Sequence, residues 1–208
     1  MATTPALPFH SAPLGAGTEV EFERRGGFRR GFLARRFESE SAGDPVYPAS
    51  AGMFGVGCNM VFRRALLERL GGFDEALDRW PLFGAGDQDM LYRVVRAAGI
   101  LVYDPRLLVF HEHRRTLHQL RRQYYTWGLG VVALMTKIWA AEPSERAKIV
   151  RLGRWWTVNQ VKTLFLALVG RGERRIDQAA AELWGGLVGA CGAYRRSCRQ
   201  VARLRSAA

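Results

Sequence analysis

The sequence predicts an α/β chain whose second half is helical. Three observations carry that reading. Short apolar runs alternate with helical spacing between residues 53 and 113, a long 3.6-residue periodicity takes over after residue 114, and the charge balance changes at nearly the same point. Residues 1–110 hold 13 Arg against 13 Asp and Glu, whereas residues 111–208 hold 18 Lys and Arg against 6 acids, so the net charge of +12 belongs to the second part. Three segments are expected: a loose N-terminal stretch at 1–52, an α/β part at 53–113, and a basic helical extension at 114–208.

The elements follow in order. Residues 1–18 are rich in Pro, Ala and Gly and read as a loose tail. Residues 19–37 alternate acids and arginines with Phe22, Phe28, Phe32 and Phe37, and Gly26, Gly27 and Gly31 limit them to short helical turns. Residues 39–52 read as a loop. The run 53–62 is a strand that stops at Arg63-Arg64, and 64–70 is a short helix closed by Gly71 in a left-handed cap. A turn at Gly72-Phe73-Asp74-Glu75 drops Phe73 into a core, and 78–86 is a loop. Residues 87–98 form an amphipathic helix on Leu91, Val94, Val95 and Ala98, stopped by Gly99. Strands at 100–103 and 107–110 flank an Asp104-Pro105 turn. Leu117, Leu120, Tyr124, Trp127, Val131, Leu134 and Ile138 then step by three and four, which is one apolar helical seam. Two more helices are expected at about 144–169 and 173–203, parted by Gly170-Arg171-Gly172. Gly185, Gly186, Gly189 and Gly192 weaken the last helix or admit a close neighbour.

Composition bounds the function. Hydrophobic residues at 48% and charged residues at 24% describe a globular chain. No run of about 20 apolar residues predicts a membrane span, and no basic-then-apolar leader opens the sequence. Cys58, Cys191 and Cys198 are too few for a disulfide framework or a zinc site, which fits a reducing cytoplasm. Only Lys137, Lys148 and Lys162 are lysines; the other 28 bases are arginines, which suit phosphate and carboxylate and which a GC-rich genome would also supply. Trp127, Trp139, Trp155, Trp156 and Trp184 stand among these bases. They fit either a membrane interface with anionic lipid or a helical core with a basic exterior.

Four motifs occur in succession: Gly57-Cys58-Asn59-Met60-Val61-Phe62-Arg63-Arg64, Gly71-Gly72-Phe73-Asp74-Glu75, Gly84-Ala85-Gly86-Asp87-Gln88-Asp89-Met90-Leu91, and Val109-Phe110-His111-Glu112-His113-Arg114-Arg115. Their order and spacing resemble the acceptor-side half of family-2 glycosyltransferases, firmly over residues 53–127. The resemblance implies a partial GT-A (Rossmann-like) sheet lacking its N-terminal nucleotide-binding strands, with 53–113 as the acceptor-side part. It implies an N-terminally truncated enzyme for inverting transfer from a nucleotide-sugar donor to a hydroxyl acceptor. Asp87 matches the family's base, although Gly86 stands where the family has Glu. Asp89 would orient the acceptor hydroxyl. On a helix the two acids point about 200° apart and cannot share a proton, and both also fit plain N-terminal capping. His111, or His113 in its place, would hold a divalent Mg or Mn or touch the donor diphosphate. Arg114 and Arg115 would grip that diphosphate or form a solvated basic face. Asn59 and Arg63 would line the acceptor side, with Asn59 equally suited to a turn.

No Asp-x-Asp precedes residue 87, so the donor half is expected to be absent and the strand edges bare. Such a chain is expected to be poorly stable alone, to self-associate, or to need a separate donor-binding chain. The alternative reading is a catalytically inactive module that binds a membrane surface or a partner through its basic tail. Nucleic acid is not expected, because no helix-turn-helix, zinc-finger or RNA-binding signature occurs. Either reading places the chain in the cytoplasm, peripheral at the inner face of the membrane.

Overall fold

The computed structural model describes residues 2–3, 6–8, 33–38, 44–54, 57–79, 84–111 and 114–207. It divides into two compact units, Met1–Phe73 with Asp87–Thr116, and Asp74–Gly86 with Leu117–Ala208. The helical turns expected over 19–37 fall mostly outside the described residues.

Among the described residues the first unit contains six strands of two or three residues each: β1 (Ala2–Thr3), β2 (Ala6–Pro8), β3 (Arg35–Phe37), β4 (Met60–Val61), β5 (Leu101–Tyr103) and β6 (Val109–His111). Four of them form a mixed sheet in the order β3-β5-β1-β4. Ala2 and Thr3 pair parallel to Val102 and Tyr103 on one side and antiparallel to Val61 and Met60 on the other. Arg35 to Phe37 runs antiparallel to β5, and β2 pairs parallel with β6 in a separate ribbon. Residues read as a loose tail therefore fill the places where bare edges were expected. Their pairing comes from main-chain groups, which composition does not reveal.

Two α-helices of this unit lie among the described residues. Helix α1 (Arg64–Arg69) ends where Gly71 adopts φ 74°, as the cap pattern predicts. In the second unit, the four-residue helix α2 (Glu75–Asp78) begins with the Asp74 carboxylate accepting from the Ala76 amide. Helix α3 (Gly86–Arg96) then presents Met90, Leu91, Val94 and Val95 to Tyr47, Ala51 and Leu101. Phe37, Met60, Phe62, Leu66, Leu67 and Leu70 pack around that cluster.

The partial GT-A sheet is not what forms. Among the described residues helices dominate, and no strand exceeds three residues. A nucleotide-binding sheet is built from successive parallel strands joined by covering helices. Here the order is mixed, and the run expected as one strand over 53–62 is instead a 3-10 turn at Ala49–Phe54, a turn at 57–58 and the two-residue β4. Gly52, Gly55 and Gly57 interrupt the β-branched and aromatic content that a longer strand needs.

The second unit is a helical assembly of α4 (Leu117–Ala141), α5 (Arg146–Leu168), α6 (Ile176–Val188) and α7 (Tyr194–Ser206). The heptad-like seam buries Leu120, Tyr124, Leu134 and Ile138 of α4. Helices α4 and α6 touch backbone to backbone. A Cβ at Gly128 would stand 1.9 Å from the Glu182 carbonyl oxygen, and one at Gly185 would stand 2.0 Å from the Tyr125 carbonyl oxygen. The helix expected at 173–203 is broken by a wide π-type turn at Gly189–Ala193, where Gly192 adopts φ 78°. A buried polar set joins α5 to α6: Gln160 donates to Glu182 at 3.0 Å, and Arg174 pairs with the same carboxylate while lying over the Tyr124 ring.

Candidate functional site

In the first unit, Asp87 lies in the first turn of α3, half-buried, against the turn at Gly57. Its Oδ1 accepts from the Gln88 amide at 2.8 Å, and the Gly57 amide also donates to the carboxylate. A Cβ at 57 would sit 2.9 Å from Asp87 Oδ2, so a larger residue there would displace that carboxylate. Burial pushes the Asp87 carboxyl up, and the amide bonds from Gln88 and Gly57 partly offset it. Burial, less the pull of its own amide and plus the charge of Asp87, also raises the neighbouring Cys58 thiol, so it is not an activated nucleophile.

Asp89 behaves differently. It is 0% exposed and pairs with Arg93 Nε at 2.7 Å, and Arg93 also donates to the Leu70 and Gly72 carbonyls at 2.7 Å each. That clamp ties α3 to the end of α1 and spends the guanidinium within the fold. Asn59 is buried and donates to the Leu107 carbonyl at 3.1 Å, fastening its turn to the segment before β6. Arg63 precedes α1 and is exposed; Arg114 and Arg115 are exposed at the approach to α4. His111 closes β6 through its backbone, but its side chain and all of His113 lie outside the described residues. The structure thus brings Asp87 to Gly57 and Cys58, and commits Asp89 and Asn59 to internal bonds. No group of three His, Cys, Asp or Glu that could hold a metal occurs among the described residues.

A different surface stands out in the second unit. Helix α5 has apolar residues on two opposite sides. Ile149, Trp156, Gln160 and Ala167 face inward and are buried. Val150, Trp155, Val158, Val161, Phe165 and Leu168 lie on the other side, from 53% exposed at Trp155 to 63% at Val150. At 3.6 residues per turn this outward set fills an arc of about 140°. Arg151, Arg154 and Lys162 share the arc, and residues 146–168 contain no acid. A shallow depression of about 710 Å³ runs along it between Val150 and Lys162. Helix α6 also leaves apolar side chains outside, Ile176, Trp184 and Leu187, with Asp177 beside them paired to Arg175. No helix of the described residues is long and apolar enough to cross a membrane.

The five tryptophans of the basic region therefore divide. Trp156 is buried and Trp127 half-buried, whereas Trp139, Trp155 and Trp184 face out. The sequence signal for the outward face was present: two apolar sets on α5 about half a turn apart, and no acid between them.

No protein-family model, curated protein or solved structure matches the chain. Together with the helical architecture, this overturns the glycosyltransferase resemblance and what it implied. The inverting transfer, the nucleotide-sugar donor, the hydroxyl acceptor and the separate donor-binding chain are withdrawn, because the sheet that would hold a donor does not form. Asp87, Asp89, Asn59, Arg63, His111, Arg114 and Arg115 keep the positions given above without those roles.

Proposed function

We propose that the chain is a peripheral membrane-binding protein whose second unit lays α5 in the plane of a lipid interface. The observation that carries this is the outward arc of α5, where six largely exposed apolar side chains alternate with three cations. Water is a poor partner for such a face, since each exposed Val or Phe forfeits roughly 1.5–3 kcal/mol relative to burial. A bilayer interface takes both kinds of residue: apolar side chains enter the acyl boundary, and Arg and Lys reach back to the headgroups. A second copy fits less well. A two-fold contact through this face would bring the Arg154 and Lys162 cations of both copies into one interface, with no acid on the helix to offset them.

Vesicle flotation tests the proposal. The wild-type chain is expected to float with phosphatidylcholine vesicles containing phosphatidylglycerol. Replacing Val158 and Phe165 together by Ser is expected to weaken binding by at least about tenfold, given partial burial of each side chain. Equal flotation of the double variant, or a wild-type chain that stays with the aqueous fraction, would overturn it.

A further inference from the structure

We infer that α7 is a second membrane contact, purely electrostatic, that selects anionic lipid; this rests on the reading of α5 as an interfacial helix. Tyr194 and Ser197 fix which side of α7 faces inward. The Tyr194 hydroxyl donates to Asp74 at 2.9 Å, and Ser197, which is buried, donates to the Ala76 carbonyl at 2.7 Å. The opposite arc carries Arg195, Arg196, Arg199 and Arg203, all exposed. At 3.6 residues per turn these four span about 100°. Arg196 is partly engaged, donating to the Cys191 carbonyl, and Arg205, outside the arc, pairs with Glu75. No Asp or Glu occurs after Glu182, so the arc has no neutralising acid in its own segment.

Two independent features of one unit thus ask for one kind of partner. The face of α5 requires an apolar interior, and the arc of α7 requires a dense sheet of anions. Nucleic acid would satisfy the arginines but leave Trp155, Phe165, Trp184 and Leu187 in water. A bilayer with anionic headgroups offers both chemistries. The arrangement is a two-signal anchor, in which weak apolar insertion and weak charge attraction together give stable attachment. Its arginines offer paired donors to headgroup phosphates.

The test uses the full chain and flotation on two vesicle types, phosphatidylcholine alone and phosphatidylcholine with phosphatidylglycerol, across about 0.05 to 0.5 M salt. The wild-type chain is expected to prefer anionic vesicles by about 100-fold at low salt, and to lose that preference as salt rises. Replacing Arg195, Arg199 and Arg203 by Gln is expected to cut the preference and its salt slope at least about tenfold, leaving only the share that the cations of α5 supply, with binding to neutral vesicles unchanged. The corresponding triple Lys variant, which keeps the charge, is expected to retain most of both. An undiminished preference in the Gln variant would overturn the inference while sparing the role of α5. A wild-type chain that binds neither vesicle would overturn both. Displacement by a duplex oligonucleotide at equal phosphate concentration would assign the arc to nucleic acid instead. Displacement by inorganic phosphate at constant ionic strength would assign it to a discrete phosphate site.

Discussion

Asp89 in the first unit is a carboxylate with no exposed surface, and Phe165 in the second is a phenyl ring 61% in water. Each stands where its chemistry is least at ease. The difference lies in what surrounds them. Asp89 has Arg93 at 2.7 Å, and Arg93 has two carbonyls beyond it, so the buried charge is answered within the chain. Phe165 sits on a helix side whose neighbours are equally exposed. A misplaced residue answered from inside holds the fold together. One left unanswered across a whole helix side marks where something else must come.

That contrast is most sharply broken at Asp89. Replacing it by Ala leaves Arg93 mostly buried without its carboxylate, and is expected to cost about 3–5 kcal/mol in a denaturant titration. A loss under about 1 kcal/mol would remove Asp89 from the clamp.

Acid titration separates two further carboxylates by sign. Burial works to raise the Asp74 carboxyl, but Lys137 at 2.7 Å, the Tyr194 hydroxyl and the Ala76 amide outweigh it and hold it below the ordinary value. Its stabilisation is present above the ordinary carboxylate pKa and is lost as pH falls through the depressed value. Asp87 is raised by burial, so its contribution runs the other way: stability falls as pH rises from the ordinary value through the raised one. Urea midpoints between about pH 3 and pH 7 should show a flatter acid limb for Asp74→Asn and a steeper one for Asp87→Asn. The same slope change in both variants would refute the opposed directions.

The smallest expected effect is on the outward side of α5. Val158→Ser alone should change the unfolding free energy by less than about 0.5 kcal/mol, because most of that side chain is in water. A larger loss would mean that the face is covered within the chain.

Local structure was legible in the sequence where one residue type decides it. Gly71 ends α1, the Leu91, Val94 and Val95 spacing gives α3, and the three- and four-residue steps from Leu120 to Ile138 give α4. The glycines at 185–192 announced both the close contact with α4 and the break before α7. Sheet architecture was not legible, because Ala2–Thr3 and Ala6–Pro8 pair through main-chain groups that any residue supplies. The motif that drew attention to Asp87 and Asp89 was real as spelling. Its second acid proved to be a partner for Arg93, a use that spacing along one helix does not distinguish from chemistry.

The two-sided character of α5 also governs how the protein behaves in the laboratory. A chain carrying Trp155, Val158 and Phe165 on its outside will adsorb to chromatography media, plastic and the air–liquid boundary. Purification in plain buffer should give tailing elution and falling recovery as concentration rises. A mild detergent or lipid nanodiscs should sharpen the peak by giving those rings somewhere to go.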